Sequence, residues 1–247
     1  MIYPSKAVKS PNEISKIEKA CKLGDEIFAY ILKKIKLDIT EKEIAREINL
    51  FIKKSGSKCS FPTIVAFGKN SANIHNVPTD NKLTKNQIIL LDFGVKLEGF
   101  CSDMTRTIFS GKPTPKQKRM YETVLSAQQK TIDFITSFAN DLFRSGGKKK
   151  GRILKAKDVD HTARAYIESE GYPTIPHSLG HGIGRKVHEA FRISPKSKNY
   201  LKEGMVFSIE PGIYFPNFGG VRIEDLVVLE KSGLRLLTHS PKNIIEI

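Results

Sequence analysis

Apolar residues Ile14, Ile17, Cys21, Phe28, Ile31, Leu32 and Ile35 recur at three- and four-residue steps, the stripe of an amphipathic helix. Ser10-Pro11-Asn12-Glu13 stands at its head and supplies an N-cap serine, a proline for the first turn and the glutamate of a capping box. Thr40-Glu41-Lys42-Glu43 repeats that start and opens a helix through Ile44, Ile48, Phe51 and Ile52, which Gly56 should end. Residues 64–68 read as a short strand, and 70–80 as a loop carrying His75. The period then changes. Residues 88–109 hold two apolar, β-branched runs around Lys96-Leu97-Glu98-Gly99, the pattern of an antiparallel hairpin.

The same order of signals returns after the hairpin. Thr114-Pro115-Lys116-Gln117 is a third cap with proline, followed by a stripe of Tyr121, Val124, Leu125, Ile132 and Ile135. Another helix is predicted from Asp158 through Val159, Ala163, Tyr166 and Ile167 to Gly171. Pro11 and Pro115 are offset by 104 residues, but Gly56 and Gly171 by 115, so the halves read as diverged copies with about eleven extra residues between the later helices. The extra length falls in 144–157, where Arg144, Lys148, Lys149, Lys150, Arg152, Lys155 and Lys157 gather around two glycines, the composition of a basic surface loop. Two strand-like runs, 205–213 and 221–229, close the chain around Pro216-Asn217-Phe218-Gly219-Gly220. The expected fold is α+β, two pseudo-symmetric αα-β halves (about 10–110 and 114–230) around a curved antiparallel sheet with helices outside and a site in the hollow.

Chemistry enters through register. A turn centred between Leu97 and Glu98 pairs residues whose numbers complete 195, setting Asp92 opposite Asp103; a turn centred on Asn217 sets Glu210 opposite Glu224. Facing side chains lie about 4.5–5.5 Å apart, and carboxylates that close repel unless a proton or cation lies between them. Four convergent carboxylates ask for divalent charge, and hard oxygen donors with one imidazole suit Mn²⁺, Fe²⁺, Co²⁺ or Zn²⁺. The nitrogen donor is sought in His177-Ser178-Leu179-Gly180-His181-Gly182-Ile183-Gly184, continuing to His188-Glu189, where glycines flank His181 and let the backbone approach something closely.

Composition changes the picture little. The 247 residues suffice for a full core, and no run approaches the roughly 20 apolar residues of a membrane span. The Met1-Ile2-Tyr3-Pro4 start lacks a signal-peptide core, so a cytoplasmic protein without membrane contact is expected. Cys21, Cys59 and Cys101 are scattered and odd in number, which argues against a disulfide framework or zinc ribbon and for reduced thiols. The net charge of +15 admits an acidic partner. Its lysines are dispersed without interleaved aromatics, however, so a solvated surface is preferred over nucleic-acid or ribosome contact through the basic loop.

Taken in order, residues 70–80, the Leu91-Asp92-Phe93-Gly94 to Asp103-Met104-Thr105-Arg106 hairpin, His-x-x-Gly-His-Gly-x-Gly ending at His188-Glu189, Glu210-Pro211-Gly212-x-Tyr214 and Arg222-Ile223-Glu224-Asp225 resemble the pita-bread metallopeptidases. The likeness is to the catalytic domain of Xaa-Pro aminopeptidases and prolidases. It implies two divalent ions, Mn²⁺ first, with Asp92 and Asp103 on one, Asp103, His181 and Glu224 on the other, and Glu210 bridging and passing the proton of the attacking water. It also implies catalytic roles for His75 and His188 at the oxyanion or leaving nitrogen. His177 is expected to hold substrate, with Tyr214 and Arg222 as a supporting pair on the substrate-binding side.

Hydrolysis of the N-terminal residue of a peptide, before proline, by a dinuclear-metal-bound hydroxide is the leading expectation. Ile74-His75-Asn76-Val77-Pro78 and Glu210-Pro211-Gly212-Ile213-Tyr214 differ from the corresponding stretches of methionine aminopeptidases, which favours the Xaa-Pro branch. Methionine aminopeptidase-like removal of N-terminal residues, and a non-catalytic pita-bread module binding RNA or ribosome, are the alternatives. The expected partners are a peptide substrate and, as one option, a second copy in a homodimer. Only about ten residues precede the first helix, so one catalytic domain spanning 1–247 is expected, without the separate N-terminal domain usual in proline-specific members.

Overall fold

The computed structural model describes residues 7–144 and 153–247. Four helices form where the apolar stripes require them: α1 (Pro11–Leu32), α2 (Glu41–Lys54), α3 (Pro115–Arg144) and α4 (Ala156–Ser169). The capping boxes close as the sequence predicts. Ser10 Oγ accepts from the Glu13 N–H while the Glu13 carboxylate accepts from the Ser10 N–H, and Thr40 with Glu43 and Thr114 with Gln117 do the same. Gly56 and Gly171 follow the last turns of α2 and α4 with φ of 73° and 82°, the left-handed conformation that ends a helix most readily at glycine.

The strands are β1 (Lys58–Cys59), β2 (Ile64–Phe67), β3 (Ile88–Phe93), β4 (Val95–Leu97), β5 (Phe100–Cys101), β6 (Met104–Phe109), β7 (Gly180–Gly182), β8 (Glu189–Ile193), β9 (Val206–Ile209), β10 (Gly212–Phe215), β11 (Gly219–Arg222), β12 (Asp225–Glu230) and β13 (Gly233–Leu236). They pair antiparallel in the orders β2-β3-β6, β1-β4-β5, β10-β11 and β13-β12-β9-β7-β8. Each long run predicted from sequence is divided in two, and the divisions fall beside the acids: at Gly94, at Ser102-Asp103, at Glu210-Pro211 and at Ile223-Glu224. An ideal strand alternates its side chains between two faces, so the breaks bend the ladder where carboxylates must converge.

The first hairpin corrects the predicted register. Its ladder pairs Asp92 with Thr105 and Phe93 with Met104, and numbers complete 197, not 195. The turn is Glu98-Gly99, with φ of 49° and 82°; a two-residue hairpin turn of this kind needs both central residues left-handed, and glycine fits the second position. Asp103 is therefore diagonal to Asp92, not opposite it, but two residues before Thr105 it keeps the same face. Gly94 stands opposite Asp103 across the bend, where an added Cβ would meet the Ser102 carbonyl oxygen at 2.0 Å, so no side chain fits. The second hairpin keeps the predicted register: Ile209 pairs with Asp225 and Gly212 with Arg222, leaving Glu210 and Glu224 facing across the gap between the two ladders.

Helices cover one side of each half. Ile27, Phe28, Ile31, Ile44, Ile48 and Ile52 of α1 and α2 pack with Val65, Phe67, Ile89, Leu91 and Phe93. Met120, Val124, Ala127, Val159, Ala163 and Ile167 of α3 and α4 pack with Phe191, Ile193, Phe207, Ile209 and Val227. Alternation along β3 turns Asp92 away from the residues that meet the helices, which is why an acid can survive in so apolar a strand. The three cysteines are unpaired thiols, Cys21 and Cys101 buried and Cys59 half-buried. The centre of the predicted basic loop, 145–152, lies outside the described residues; Lys155 and Lys157 at its end are exposed.

Candidate metal centre

Five side chains from five chain segments line one cavity of 540 Å³: Asp92, Asp103, His181, Glu210 and Glu224. Asp103, His181 and Glu224 each offer a donor atom within 4.8 Å of the others, and all three are buried. His181 Nε2 lies 3.5 Å from Asp103 Oδ2 and 3.5 Å from Glu210 Oε1. Its other ring nitrogen, Nδ1, is 3.2 Å from the Gly182 carbonyl, which sets the proton there and leaves Nε2 with a lone pair for a ligand. Gly180 makes this possible, because its backbone passes so near Ser208 that a Cβ would meet the Ser208 carbonyl oxygen at 1.9 Å.

The donor set fits a cation better than it fits itself. Burial, and then the charges of Asp92 and Glu210, push the Asp103 carboxyl well above its ordinary range. Glu224 is pushed well above its ordinary range by burial and then by Asp103, Glu210 and Asp92, and Glu210 is raised chiefly by burial. Asp92 Oδ1 and Glu224 Oε1 are buried with no hydrogen-bond partner. An orphaned carboxylate oxygen is costly, and divalent ions at this point would satisfy these oxygens and relieve the mutual repulsion.

Three of the four carboxylates have one oxygen held by a neighbouring side chain. The Arg222 guanidinium donates to Asp92 Oδ2 at 2.7 Å, the Thr105 hydroxyl to Glu224 Oε2 at 2.7 Å, and the Ser208 hydroxyl to Glu210 Oε1 at 3.0 Å. Ser208 Oγ also accepts from the His181 N–H at 3.1 Å, so one residue orients two ligands. Behind Glu224, buried Arg106 pairs with Asp225 at 2.6 Å and donates to the Glu224 carbonyl at 2.6 Å. Burial alone would raise the Asp225 carboxyl, but Arg106 and Lys242 hold it below its ordinary value. Thr105, Arg106, Ser208 and Asp225 were given no role from sequence. Arg106 carried a signal, since a guanidinium inside the apolar run 104–109 needs a buried partner.

The remaining predicted residues also line the cavity or support it. His188 stands edge-on to the His181 ring with centroids 4.4 Å apart, and burial lowers its pKa to about 4. His75 lines the same cavity with Ile74, Val77 and Pro78. His177, expected to hold substrate, has both ring nitrogens engaged: Nε2 is 2.8 Å from the Tyr214 hydroxyl and Nδ1 2.8 Å from the Ser178 carbonyl. Burial lowers its pKa to about 4, so the ring is neutral near pH 7. Tyr214 in turn accepts from Arg222 at 2.8 Å, and burial raises its hydroxyl to about 12. Arg222, Tyr214 and His177 thus form one hydrogen-bonded line running outward from Asp92. Sequence reasoning also passed over Arg192, an exposed cation on the wall, and the apolar Phe61, Pro62 and Val187.

An antiparallel α+β frame whose bends gather four carboxylates and one imidazole in one cavity is the pita-bread arrangement of the prolidases. Metallopeptidase family M24 matches residues 15–231, and the chain belongs to that family. A Xaa-Pro dipeptidase of Pyrococcus horikoshii is 38% identical over 247 residues, 99% of this chain and 66% of that protein. An uncharacterized peptidase of Staphylococcus aureus (strain MW2) is 40% identical over 237 residues, 95% of this chain and 63% of that protein. Among solved structures, a Xaa-Pro dipeptidase from Bacillus anthracis superposes with a TM-score of 0.88 at 35% identity, covering 98% of this chain and 64% of that one. The chain therefore spans under two thirds of the length of these relatives. Among the described residues, no helix is long and apolar enough to cross a membrane.

Proposed function

We propose that the chain is a metal-dependent exopeptidase that releases the residue preceding proline from short peptides. The observation that carries this reading is the convergence of five ligand side chains on two orphaned carboxylate oxygens at the end of a cavity walled by apolar residues and histidines. Asp103, His181 and Glu224 would hold one ion; Asp92, with Asp103, would hold a second. Glu210, expected from the family resemblance to bridge, has Oε1 3.5 Å from His181 Nε2, which favours a place beside the His181 ion. Divalent ions bound there supply a water activated near neutral pH and a Lewis acid for the scissile carbonyl.

The chain's own residues do the rest. With Oε1 held by Ser208, Glu210 Oε2 takes the proton of the attacking water and returns it to the leaving nitrogen. His188, kept neutral by burial, and His75 donate hydrogen bonds to the developing oxyanion or to that nitrogen, where a preorganised donor acts without waiting for solvent to reorient. Phe61, Pro62, Ile64 and Val77 offer an apolar wall suited to a pyrrolidine ring. Arg192 offers a cation to a free carboxylate, which favours dipeptides.

The test is to load metal-free protein with Mn²⁺ and time release of the first residue from Ala-Pro, from a Xaa-Pro tripeptide and from Met-Ala-Ser, with Glu210→Ala as control. Release before proline that vanishes in the control supports the proposal. Cleavage of Met-Ala-Ser alone moves the protein to the methionine branch. Silence on all three with metal bound overturns the peptidase reading in favour of a binding role.

A further inference from the structure

Outside the metal centre, one acid among the described residues is buried without a cation. Glu41, in the first turn of α2, has no exposed surface, and its carboxylate accepts from five donors. The Phe67 N–H reaches Oε1 at 2.8 Å, the Asn70 side-chain amide at 2.9 Å and the Asn81 side-chain amide at 3.3 Å. Oε2 accepts from the Thr79 N–H at 2.9 Å and the Thr79 hydroxyl at 2.7 Å. A charged acceptor makes these bonds stronger than neutral ones, and the helix N-terminus adds favourable potential to an acid in its first turn.

The donors come from both ends of one loop. Phe67 and Asn70 stand where the loop after β2 begins, and Thr79 and Asn81 where it ends. One carboxylate therefore ties both ends of a loop whose middle, Ile74, His75, Asn76, Val77 and Pro78, forms a wall of the catalytic cavity. His75 is an exposed residue whose place depends on the path of this backbone. Other ties hold the loop as well: the Asn76 side-chain amide donates to the Val65 carbonyl at 2.9 Å, Ser71 Oγ accepts from the Gly220 N–H at 2.8 Å, and at the loop's end the Lys42 N–H donates to the Thr79 carbonyl at 3.1 Å and the Glu41 N–H to the Asn81 carbonyl at 3.2 Å.

We propose that Glu41 is a positioning residue that sets His75 over the metal centre by clamping the two ends of the 68–81 loop. It acts through His75 and not through the metal ligands; the claim about catalysis rests on the exopeptidase reading, whereas the clamp itself does not. A displacement of about 1 Å in a catalytic group can cost on the order of a hundredfold in rate. Glu41→Gln keeps the shape but turns an amide donor toward donors, so it should open the clamp at one oxygen.

The experiment has a kinetic and a structural arm, both on Mn²⁺-loaded protein. In the first, Glu41→Gln, His75→Ala and the double variant are compared on Ala-Pro. Glu41→Gln should lower kcat by roughly tenfold to a hundredfold, with Mn²⁺ affinity within about twofold of wild type. The double variant should then be no slower than His75→Ala, because two residues acting as one unit are not additive. Glu41→Asp should recover part of the rate. In the second arm, amide hydrogen exchange of residues 68–81 should quicken in Glu41→Gln while exchange in β6 and β12 stays as in wild type.

Losses that multiply in the double variant, or unaltered loop exchange, overturn the proposal. Should Glu41→Gln not fold, Thr79→Val removes a single hydroxyl donor and carries both arms with a smaller expected effect. A wild-type protein inactive on every peptide would sink the exopeptidase reading, and loop exchange would still decide whether Glu41 is the clamp.

Discussion

Replacing Arg106 by methionine should cost the protein a large part of its stability, and the structure lets the amount be worked out. Arg106 is the largest fully buried side chain, and its fork joins the two hairpins. Nη2 pairs with Asp225 Oδ1 at 2.6 Å; Nη1 donates to the Glu224 carbonyl at 2.6 Å and the Thr105 carbonyl at 3.0 Å; Nε and Nη2 share the Ser240 carbonyl at 3.2 and 2.9 Å. Removing one member of a buried ion pair costs about 3–5 kcal/mol. Asp225 keeps Lys242 at 2.6 Å and the Thr238 hydroxyl at 2.7 Å, which argues for the lower end. The Glu224 and Ser240 carbonyls lose donors, at about 1–3 kcal/mol for each left unsatisfied, and methionine regains some packing.

A net loss of about 4 kcal/mol follows, close to a thousandfold in the folding equilibrium. Urea unfolding of the Mn²⁺-loaded chain measures it as a lower midpoint at unchanged slope. Arg106→Lys should lose nearly as much, because one ammonium cannot reach three carbonyls and a carboxylate together. A loss under about 1 kcal/mol in Arg106→Met, or full recovery in Arg106→Lys, would refute the claim that this fork is what joins the hairpins.

Three further outcomes are expected. Ser208→Ala should weaken Mn²⁺ binding by about 10- to 100-fold in titration calorimetry, since its hydroxyl orients both His181 and Glu210; binding within twofold of wild type would count against that role. Asp103, Glu210 and Glu224 bind protons more tightly in the folded metal-free chain than unfolded, so that chain holds more protons above the ordinary carboxylate range and its stability falls as pH rises. The thermal midpoint of chelated protein should therefore drop relative to the Mn²⁺-loaded form from about pH 4 to 7, with the gap widening throughout; a constant gap would contradict it. Arg192→Ala should raise KM for Ala-Pro about tenfold and leave that for a C-terminally amidated Xaa-Pro tripeptide unaffected, and equal effects on both would show that Arg192 does not read the free carboxylate.

Much of the frame was legible because its signals are local. Ser10, Thr40 and Thr114 announce helix starts through capping bonds that span three residues, and Asn217 sets the second hairpin's register through a turn that the flanking strands extend faithfully. The first hairpin was misjudged by one position at its turn: Lys96-Leu97-Glu98-Gly99 admits two centres, and the left-handed pair Glu98-Gly99 decides between them. Asp92 and Asp103 still share a face because shifting the centre by one residue moves each partner by two, which preserves the alternation of sides.

By itself, the sequence determined the four helices, the two hairpins, the acids they carry and the likeness to the pita-bread metallopeptidases, all of which depend on residue type and short-range spacing. Only the tertiary structure decided which oxygens face inward and which are held: Arg222 on Asp92, Thr105 on Glu224, Ser208 on Glu210. It alone showed that His177 spends both nitrogens on its surroundings, that Arg106 and Asp225 form the joint behind the site, and that Glu41 binds both ends of the His75 loop. Apart from Ser208 with Glu210, and the Ser178 carbonyl beside His177, these partners lie 26 to 130 residues apart in the chain. Their pairing follows from desolvation, since a buried charge must find donors or a counter-charge wherever the fold brings them, and neither helix nor strand periodicity records who that partner will be.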